Sequence, residues 1–247
     1  MEWIVKMSEY SLKKSSLYNI RVVKDLPIVI FDEHNMALPV WGTYSSRMGR
    51  SLNLVTFDTH TDTHPPFNAY LCEKNITREL GASVLLMPTV KQLLQDCRIS
   101  LEDFSFEDIY KLSCSYVKNS EQILTAYAME YLESYTVIHR DSAYGYERDD
   151  RLNGLNARYI CASNVSNKDL ESVCMPIALD FDLDYFRNES DMDKEFFEKI
   201  KSLIKNASVI TIAREPKYFE FCKTDKNLCV SEAEEKLVYN IVNILNS

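Results

Sequence analysis

Short apolar runs alternate with polar segments along the chain, and five of these runs have the character of buried strands. Three of them, Ile28 to Phe31, Leu54 to Phe57 and Ile177 to Leu179, are each followed by acidic and histidine residues. Two more, Tyr135 to Ile138 and Ser208 to Ile212, are rich in β-branched residues. Runs of this length and composition are typical of strands inside a sheet. We therefore expect five core strands.

Helical periodicity appears between and after these runs. Apolar residues spaced three and four apart predict a helix over 191–205, capped by Asp191, and a C-terminal helix capped by Ser231 with Glu234. A third helix is predicted over 119–132.

The order of these elements defines the fold class. Strand 176–182, helix 191–205 and strand 207–212 form a βαβ unit, whose two strands run parallel. The segment 142–156 has few apolar residues and is predicted to be a surface loop. We expect an α/β protein with a mostly parallel sheet and helices on both faces.

Composition restricts the remaining choices. The 247 residues contain no Pro/Gly/Ser-rich linker, so one domain over 1–247 is expected. A net charge of −9 disfavours nucleic acid and anionic membranes as partners. No apolar run is long enough to span a bilayer, and Lys6 breaks the first apolar stretch, so a cytoplasmic location is expected. The odd number of cysteines, seven, favours reduced thiols in the core over a disulfide framework.

Three polar clusters follow the first three strands: Glu33-His34-Asn35, Asp-Thr-His-Thr-Asp at 58–62, and Asp-Phe-Asp-Leu-Asp at 180–184. Side chains alternate along an extended segment, so Asp58, His60 and Asp62 point to one side, and Asp180, Asp182 and Asp184 likewise share a side. The carboxyl ends of parallel strands border one crevice, in which ligands bind. The three clusters are therefore predicted to form one site.

Such a concentration of carboxylates requires cations, because buried anions a few ångströms apart repel one another. An isolated Asp-x-His-x-Asp would also suit a turn with capping aspartates, but the second acidic cluster favours a centre for two divalent ions. Carboxylate and imidazole ligands without thiolate favour Mn²⁺, with iron, cobalt or zinc as alternatives. The candidate ligands are His34, Asp58, His60, Asp62, Asp180, Asp182 and Asp184.

The clusters resemble the metal motifs of a known superfamily. The segment 58–62 is similar to the arginase motif Asp-Ala-His-x-Asp, 181–184 to Phe-Asp-Val-Asp, and 33–35 to Gly-Asp-His-Ser. By these motifs the sequence resembles the ureohydrolase superfamily of arginases, agmatinases and the more distant histone deacetylases. The resemblance implies a three-layer α/β/α arginase-like fold and two Mn²⁺ ions per chain.

Two longer stretches narrow the resemblance. Glu-His-Asn-x-Ala-Leu-Pro-x-Trp at 33–41 and Leu-Asp-Phe-Asp-Leu-Asp-Tyr-Phe at 179–186 are similar to a small branch that includes the peptide arginases of ribosomal natural-product pathways. Those enzymes convert arginine in a precursor peptide to ornithine and release urea. The resemblance thus implies an arginine-containing peptide as the partner, and a homo-oligomer is compatible with the sequence.

The register of the last motif leaves two choices. Matching Phe-Asp-Val-Asp selects Asp182 and Asp184 as ligands, whereas matching the end of the strand selects Asp180 and Asp182. Asp182 is a ligand in both, and Asp180 either binds metal or supports a ligand.

The resemblance also implies roles around the metals. Glu215 is similar to the late glutamate of arginases that binds the substrate guanidinium, a group that donates two parallel hydrogen bonds to a carboxylate. The alternative for Glu215 is a salt bridge with a neighbouring Arg or Lys. Asp62 is the candidate that passes a proton to the leaving amine. His139 is a candidate proton shuttle or else a structural histidine.

One departure from the arginase pattern concerns substrate choice. His64-Pro65-Pro66 stands where arginases have an asparagine that helps to bind the carboxylate of free arginine. This favours an arginine inside a peptide, with His64 lining the entrance to the site or serving as a loop residue.

Two alternative functions remain for the chain. The first is another hydrolase of the superfamily, acting on free arginine, agmatine or an acyl-amine, and the second is a non-catalytic scaffold stabilised by metal. Glu215 argues against a deacetylase, which needs no partner for a guanidinium.

Overall fold

The computed structural model describes residues 18–73, 105–140 and 156–247. A mostly parallel sheet lies at its centre, as predicted. In these residues its strands are β1 (Asn19–Val23), β2 (Leu26–Phe31), β3 (Leu52–Asp58), β4 (Leu132–His139), β5 (Ala157–Cys161), β6 (Ile177–Asp182) and β7 (Ala207–Ala213). Across the sheet the order is β1-β2-β7-β6-β3-β4-β5. β1 is antiparallel to β2, and the other neighbouring pairs are parallel.

The order of the strands reverses between β6 and β3. From β6 the chain continues to β7, on the side of β2, whereas from β3 it continues to β4 and β5 on the opposite side. At such a reversal the connections diverge and leave a crevice beyond the carboxyl ends of the strands. The clusters that follow β3 and β6 therefore border the usual ligand-binding position of an open α/β sheet.

Helices cover both faces of the sheet. Ile28 and Ile30 of β2 belong to one core and Val29 and Phe31 to the other, because successive side chains point to opposite faces. The helices are α1 (Ala37–Met48), α2 (Asn68–Glu73), α3 (Phe106–Tyr116), α4 (Gln122–Ala128), α5 (Asn167–Glu171), α6 (Lys194–Asn206), α7 (Pro216–Cys222) and α8 (Val230–Asn246). α1, α3 and α4 contribute to the core on one face, and α5 to α8 to the core on the other.

Short 3₁₀ helices follow several strands. They span His34–Met36, Ala162–Asn164, Leu183–Tyr185 and Glu189–Met192. The first begins three residues after the end of β2, and the third comes directly after β6. Both carry predicted ligands, so these ligands sit on tight turns at the edge of the sheet.

The predicted start of α6 is wrong by three residues. The helix begins at Lys194, and Asp193 caps it by accepting a hydrogen bond from the Phe196 N–H. Asp191 instead forms a capping box with Asn188 in the preceding 3₁₀ helix. Two consecutive acidic caps of similar spacing made the boundary ambiguous in the sequence.

The predicted cap of α8 is also wrong. The helix begins at Val230, and its capping box joins Cys229 to Glu232. Ser231 lies inside the helix, and Glu234 accepts a hydrogen bond from the Arg214 guanidinium. The tertiary ion pair accounts for the acidic residue that the sequence pattern assigned to a cap.

The helix predicted over 119–132 is shorter in the structure. It extends from Gln122 to Ala128, and Leu132 already begins β4.

The loop predicted over 142–156 lies, apart from its last residue, outside the described residues. Cys114 and Cys174 are exposed and Cys161, Cys222 and Cys229 are half-buried, so the prediction of core thiols is wrong for these five. In the described parts of the chain, no helix is long and apolar enough to cross a membrane.

Candidate metal centre and substrate cavity

Four adjacent strands deliver the predicted site residues to one place. Asp58 and Asp182 are the last residues of the neighbouring strands β3 and β6. His34 follows β2 by three residues, and Glu215 follows β7 by two. Because all four strands are parallel, their carboxyl ends meet at the same edge of the sheet.

Six of the seven candidate ligands fall into groups whose ligand atoms lie within 4.8 Å of one another. The groups share members, so they form one continuous cluster of ligand atoms. Asp180 belongs to none of them. The groups are His34 with Asp58 and Asp62, Asp58 with Asp182 and Asp184, His34 with Asp182 and Glu215, and His60 with Asp184 and Cys222.

His34 lies at the centre of this cluster and is completely buried. Its Nε2 donates a hydrogen bond to Asp180 Oδ2 over 2.9 Å. Its Nδ1 faces Asp62 Oδ2 at 2.9 Å and Asp182 Oδ2 at 3.3 Å. Neither contact has the geometry of a hydrogen bond, so Nδ1 is a buried nitrogen without a hydrogen-bond partner. A metal-binding histidine is typically arranged so, with one nitrogen held by a carboxylate and the other directed at the ion.

Asp180 supports His34 from within the sheet. Its carboxylate also accepts hydrogen bonds from Thr56 Oγ1 on β3 at 2.7 Å and from Thr211 Oγ1 on β7 at 2.5 Å. Trp41 Nε1 in turn donates to Thr211 Oγ1 at 3.3 Å. With three donors the carboxylate is well satisfied, and this favours Asp182 and Asp184 as the ligands from the last motif.

The loop after β3 is tied to the loop after β6. The Thr59 N–H donates to Asp184 Oδ1 at 3.2 Å, and the His60 N–H donates to Asp58 Oδ1 at 2.6 Å. These bonds leave Asp58 Oδ2 buried and without a hydrogen bond. His60 Nδ1 lies 3.1 Å from Asp184 Oδ2. Two loops distant in sequence thus direct their ligand atoms at shared positions.

Asp62 is held from the opposite side by Gln122 of α4. The Gln122 Nε2 donates to Asp62 Oδ2 at 2.5 Å, and Gln122 is itself fully buried. Asp62 has a backbone φ of 47°, in the left-handed region. Non-glycine residues occupy this region at a cost of order 1 kcal/mol or more, so the surrounding contacts determine the conformation.

Burial and mutual repulsion raise the pKa of the central carboxylates. For Asp182 burial is the larger cause and the charge of Asp184 the second, and together they raise its pKa to about 7. Burial, followed by the charge of Asp62, also raises the pKa of Asp58. Burial and the charge of Asp182 raise the pKa of Glu215 to about 10. The cluster therefore has an excess of negative charge that divalent cations would relieve.

The two histidines respond to the same charges. Burial lowers the pKa of His34, but the charge of Asp180, the hydrogen bond to it and the nearby carboxylates of Asp182 and Asp62 outweigh burial, so the pKa lies well above its usual value. Hydrogen bonds to Asp184 and then to Asp58 raise the pKa of His60 to about 12. Protons and metal ions compete for these atoms. His34 Nδ1 and Asp58 Oδ2 are buried and form no hydrogen bond, and they belong to a set of carboxylate and imidazole ligands that fits divalent ions of intermediate hardness.

Glu215 joins the cluster to the cavity. Its backbone φ of 38° is left-handed, and its N–H donates to the Asp32 carbonyl at 2.9 Å. Its Oε1 accepts a hydrogen bond from the His34 N–H at 3.3 Å. The neighbouring Arg214 pairs with Asp32 and Glu234 instead. Among the residues that the structure describes, Glu215 has no ion pair with Arg or Lys, so its carboxylate is available to a ligand.

A main cavity of about 1210 Å³ opens beside the cluster, and a side cavity of about 630 Å³ adjoins it. Both are lined by His60, Glu215 and Tyr218. Tyr218 is half exposed and Phe221, on the main cavity, is 78% exposed. Other residues of the main cavity are Asp32, Glu33, Thr59, Asn119, Arg187, Pro216, Lys217 and Cys222.

His64 and His139 occupy different surroundings. His64 is exposed, lines the side cavity, and its Nδ1 lies 3.2 Å from Ser120 Oγ. His139 ends β4 beside Asp58, and its Nδ1 lies 3.0 Å from the Arg140 carbonyl oxygen. It lines neither cavity. The structure thus brings His64 to the entrance of the site, whereas the shuttle role of His139 stays a prediction.

Several residues near the centre carried no recognisable pattern in the sequence. Thr56 and Thr211 are single polar positions inside apolar strands, which is the signal that could have identified them. Gln122 is a buried polar residue preceding the apolar Ile123 and Leu124. Cys222 is the last residue of a seven-residue helix and shows no ligand spacing in the sequence.

Comparisons with known proteins support the fold. No family model matches the chain, and no curated protein matches it. Among solved structures, proclavaminate amidino hydrolase from Streptomyces clavuligerus has a TM-score of 0.50 and 11% identity, covering 88% of this chain and 63% of that chain. For arginase from Medicago truncatula the TM-score is 0.48 and the identity 11%, covering 87% and 58%. The chain thus spans about three fifths of the length of both proteins. The likeness to the amidino hydrolase concerns the fold, and the predicted three-layer α/β/α arginase-like architecture is confirmed.

Proposed function

We propose that this chain is a metal-dependent hydrolase that binds two divalent ions, with Mn²⁺ as the first candidate, and converts arginine side chains in a peptide to ornithine with release of urea. The observation that carries the proposal is the position of Glu215. Its buried carboxylate, without a basic partner among the described residues, lies between the ligand cluster and the open cavity. A cationic, planar substrate group suits that position.

The metal centre would be built from His34, Asp58, Asp62, Asp182 and Asp184, with His60 at its outer side. His34, Asp58, Asp182 and Asp184 each belong to two groups of ligand atoms, so these residues would hold the ions together as one centre. The bound ions would activate a water molecule and neutralise the carboxylates. Asp180 would hold His34 in its orientation through the bond to Nε2.

Glu215 would bind and orient the guanidinium. A carboxylate accepts two parallel N–H bonds from this group, which fixes the plane of the electrophilic carbon. The left-handed backbone of Glu215 and the bond from its N–H to Asp32 determine the direction of the side chain. Correct placement of the carbon against the activated water is a large part of the acceleration expected for such a reaction.

Asp62 would transfer a proton to the leaving amine. Water adds to the guanidinium carbon, the bond from that carbon to the side-chain nitrogen breaks, and this nitrogen must gain a proton to leave as an amine. Asp62 is partly exposed at the side cavity, whereas Asp58, Asp182 and Asp184 are buried. The hydrogen bond from Gln122 fixes one oxygen of Asp62.

The size of the entrance supports a peptide substrate. Pockets for small ligands measure roughly 300 to 1,000 Å³, and the main cavity of about 1210 Å³ exceeds that range. Exposed aromatic side chains, Tyr218 and Phe221, line it and offer apolar surface to residues beside the arginine. His64 lies at the adjoining entrance.

A mass-spectrometric assay tests the proposal. Arginine-containing peptides incubated with the Mn²⁺-loaded protein should lose CH₂N₂ from an arginine residue, and urea should appear in equal amount. Free arginine, agmatine and a peptide with acetylated lysine are the comparison substrates, and Asp182→Ala is the inactive control. Turnover of the acetylated peptide alone would favour a deacetylase, and turnover of none would favour the scaffold.

A further inference from the structure

A thiol lies at the outer side of the candidate metal centre. Cys222 is the last residue of α7, and its Sγ is 3.8 Å from Asp184 Oδ2. The same oxygen lies 3.1 Å from His60 Nδ1. These three ligand atoms form one of the groups in which all separations are within 4.8 Å. The proposed Mn²⁺ centre does not require a sulfur ligand, so the thiol needs its own explanation.

We propose that Cys222, His60 and Asp184 together bind one of the two metal ions, so that this position prefers a thiolate-binding ion such as Zn²⁺, Co²⁺ or Fe²⁺ to Mn²⁺. The proposal rests on the two-ion centre of the proposed function. Sulfur, imidazole and carboxylate make a softer set than the carboxylate-rich inner position around Asp58 and Asp182. The centre would therefore hold two unlike ions.

The distances suit a shared ion. Zinc binds sulfur at about 2.3 Å and carboxylate oxygen at about 2.0 to 2.2 Å, and in a tetrahedral site such ligands lie roughly 3.6 Å apart. The observed Sγ to Oδ2 separation is 3.8 Å. On coordination the thiol would release its proton to solvent through the main cavity, which Cys222 lines.

A buried carboxylate beside this position supplies independent support for cations in the cluster. Asp58 Oδ1 lies 3.6 Å from His60 Nδ1, and its other oxygen, Oδ2, is buried without a hydrogen bond. Asp58 is fully buried, so water does not satisfy that oxygen. Asp58 Oδ2 lies 3.7 Å from His34 Nδ1, on the inner side, and Asp58 also shares a group of ligand atoms with Asp184, so an ion held by Asp184 would border the same carboxylate.

The helix that carries Cys222 is held in place by its surroundings. Phe219 is fully buried, and the Lys223 N–H donates to its carbonyl at 2.9 Å. Glu215 occupies the position before the first residue of the same helix, and its carbonyl accepts a hydrogen bond from the Phe219 N–H at 2.9 Å. α7 therefore positions the proposed guanidinium-binding carboxylate at its beginning and the thiol at its end, on two sides of one cavity.

Cobalt absorption tests the sulfur ligand without relying on activity. Metal-free protein loaded with two equivalents of Co²⁺ should show a near-ultraviolet charge-transfer band from thiolate to cobalt. Cys222→Ser should abolish the band and keep the visible bands of cobalt bound by oxygen and nitrogen. Cys229→Ser, which changes another half-buried cysteine outside all four groups, should keep the charge-transfer band. Two bound cobalt ions without this band in the unchanged protein would overturn the proposal and leave the two-ion centre intact.

Competition and alkylation give second readouts. Cys222→Ser should weaken the binding of one Zn²⁺ on the order of tenfold or more, with a much smaller change for Mn²⁺, because the soft ligand is lost. Zn²⁺ should slow the alkylation of Cys222 by iodoacetamide, followed by peptide mass spectrometry, and leave Cys229 unaffected. Equal Zn²⁺ affinity in both proteins, or unprotected alkylation of Cys222, would contradict the assignment. Failure of the protein to bind any divalent ion would instead overturn the proposed function as well.

Discussion

Asp180 and Asp182 are two residues apart on β6, equally buried and on the same face of the strand, yet their surroundings are opposite. Asp180 receives hydrogen bonds from His34, Thr56 and Thr211. Asp182 Oδ1 receives one from the Asp184 N–H, and its pKa is raised to about 7 by burial and by the charge of Asp184. The number of hydrogen-bond donors therefore distinguishes Asp180, which supports His34, from Asp182, which is a candidate metal ligand.

The register of the sheet explains the difference. Thr56 on β3 and Thr211 on β7 are the residues paired with Asp180 on either side. Two residues further, the neighbour of Asp182 on β7 is Ala213, and β3 ends in Asp58, one residue beyond the Phe57–Phe181 pair. Two hydroxyl donors are thus replaced by a methyl group and a second carboxylate. A buried anion without donors is expensive unless a cation lies beside it.

The largest effect is expected from Asp182→Ala, which removes a buried carboxylate that has a single hydrogen-bond donor, the Asp184 N–H. Activity on the peptide should fall to background, and elemental analysis should find at most one tightly bound ion in place of two. The rise in Tm that metal produces should shrink, because metal that binds the folded state stabilises it. Normal turnover by this variant would show that the centre lies elsewhere.

Glu215→Gln should have the next largest effect. The substitution keeps the shape and removes the charge that would bind the guanidinium, so kcat/KM should fall roughly 10²-fold or more, about 3 kcal/mol, with metal content unchanged. Glu234→Gln is the matched control, because this buried glutamate pairs with Arg214. The control should lower stability and leave kcat/KM near normal. Loss of metal from Glu215→Gln would make Glu215 a ligand and refute its assignment to the substrate.

Asp180→Asn tests the other side of the comparison. If Asp180 supports His34 without binding metal, the variant should bind metal roughly 10- to 100-fold more weakly, the usual effect of losing a partner of a metal-binding histidine. Saturating metal should restore most of the activity. An isothermal titration with Mn²⁺ and an activity assay over a range of metal concentrations measure both. Activity that saturating metal does not restore would indicate a direct role for Asp180.

The core strands and the ligand-bearing clusters could be predicted from the sequence because each is marked by a pattern of consecutive residues. Ile28 to Phe31 and Leu54 to Phe57 are continuous apolar runs that match strands buried on both faces. The edge strands β1 and β5 were not predicted, since their residues are largely exposed or half-buried and no such run marks them.

The sequence alone did not predict which of the aspartates supports His34 and which are candidate metal ligands. It depends on which residues of β3 and β7 lie beside Asp180, and hence on the strand order and register. Gln122 and Cys222 reach the cluster from helices that are remote in sequence from the loops they contact. Sequence spacing reports neighbours within one element, whereas these contacts arise when separate elements pack together.

The smallest expected effect is a pH dependence of stability in the metal-free protein. The pKa of Asp182 is about 7 in the folded protein, against about 4 in an unfolded chain, so the folded state holds a proton between these values. Stability should therefore be greatest below about pH 4 as far as this group is concerned, and fall as pH rises through about 7. Glu215, with its pKa at about 10, and the two histidines with raised pKa act in the same direction.

Saturating Mn²⁺ should weaken or reverse this pH dependence of stability, because the ion replaces the protons. Thermal melts between about pH 5 and pH 8 should show a flatter metal-free curve for Asp182→Asn than for the unchanged protein, since asparagine carries no titrating charge. A metal-free protein whose stability rises steadily over this range would mean that the carboxylates at the end of β6 are satisfied without a cation, as Asp180 is.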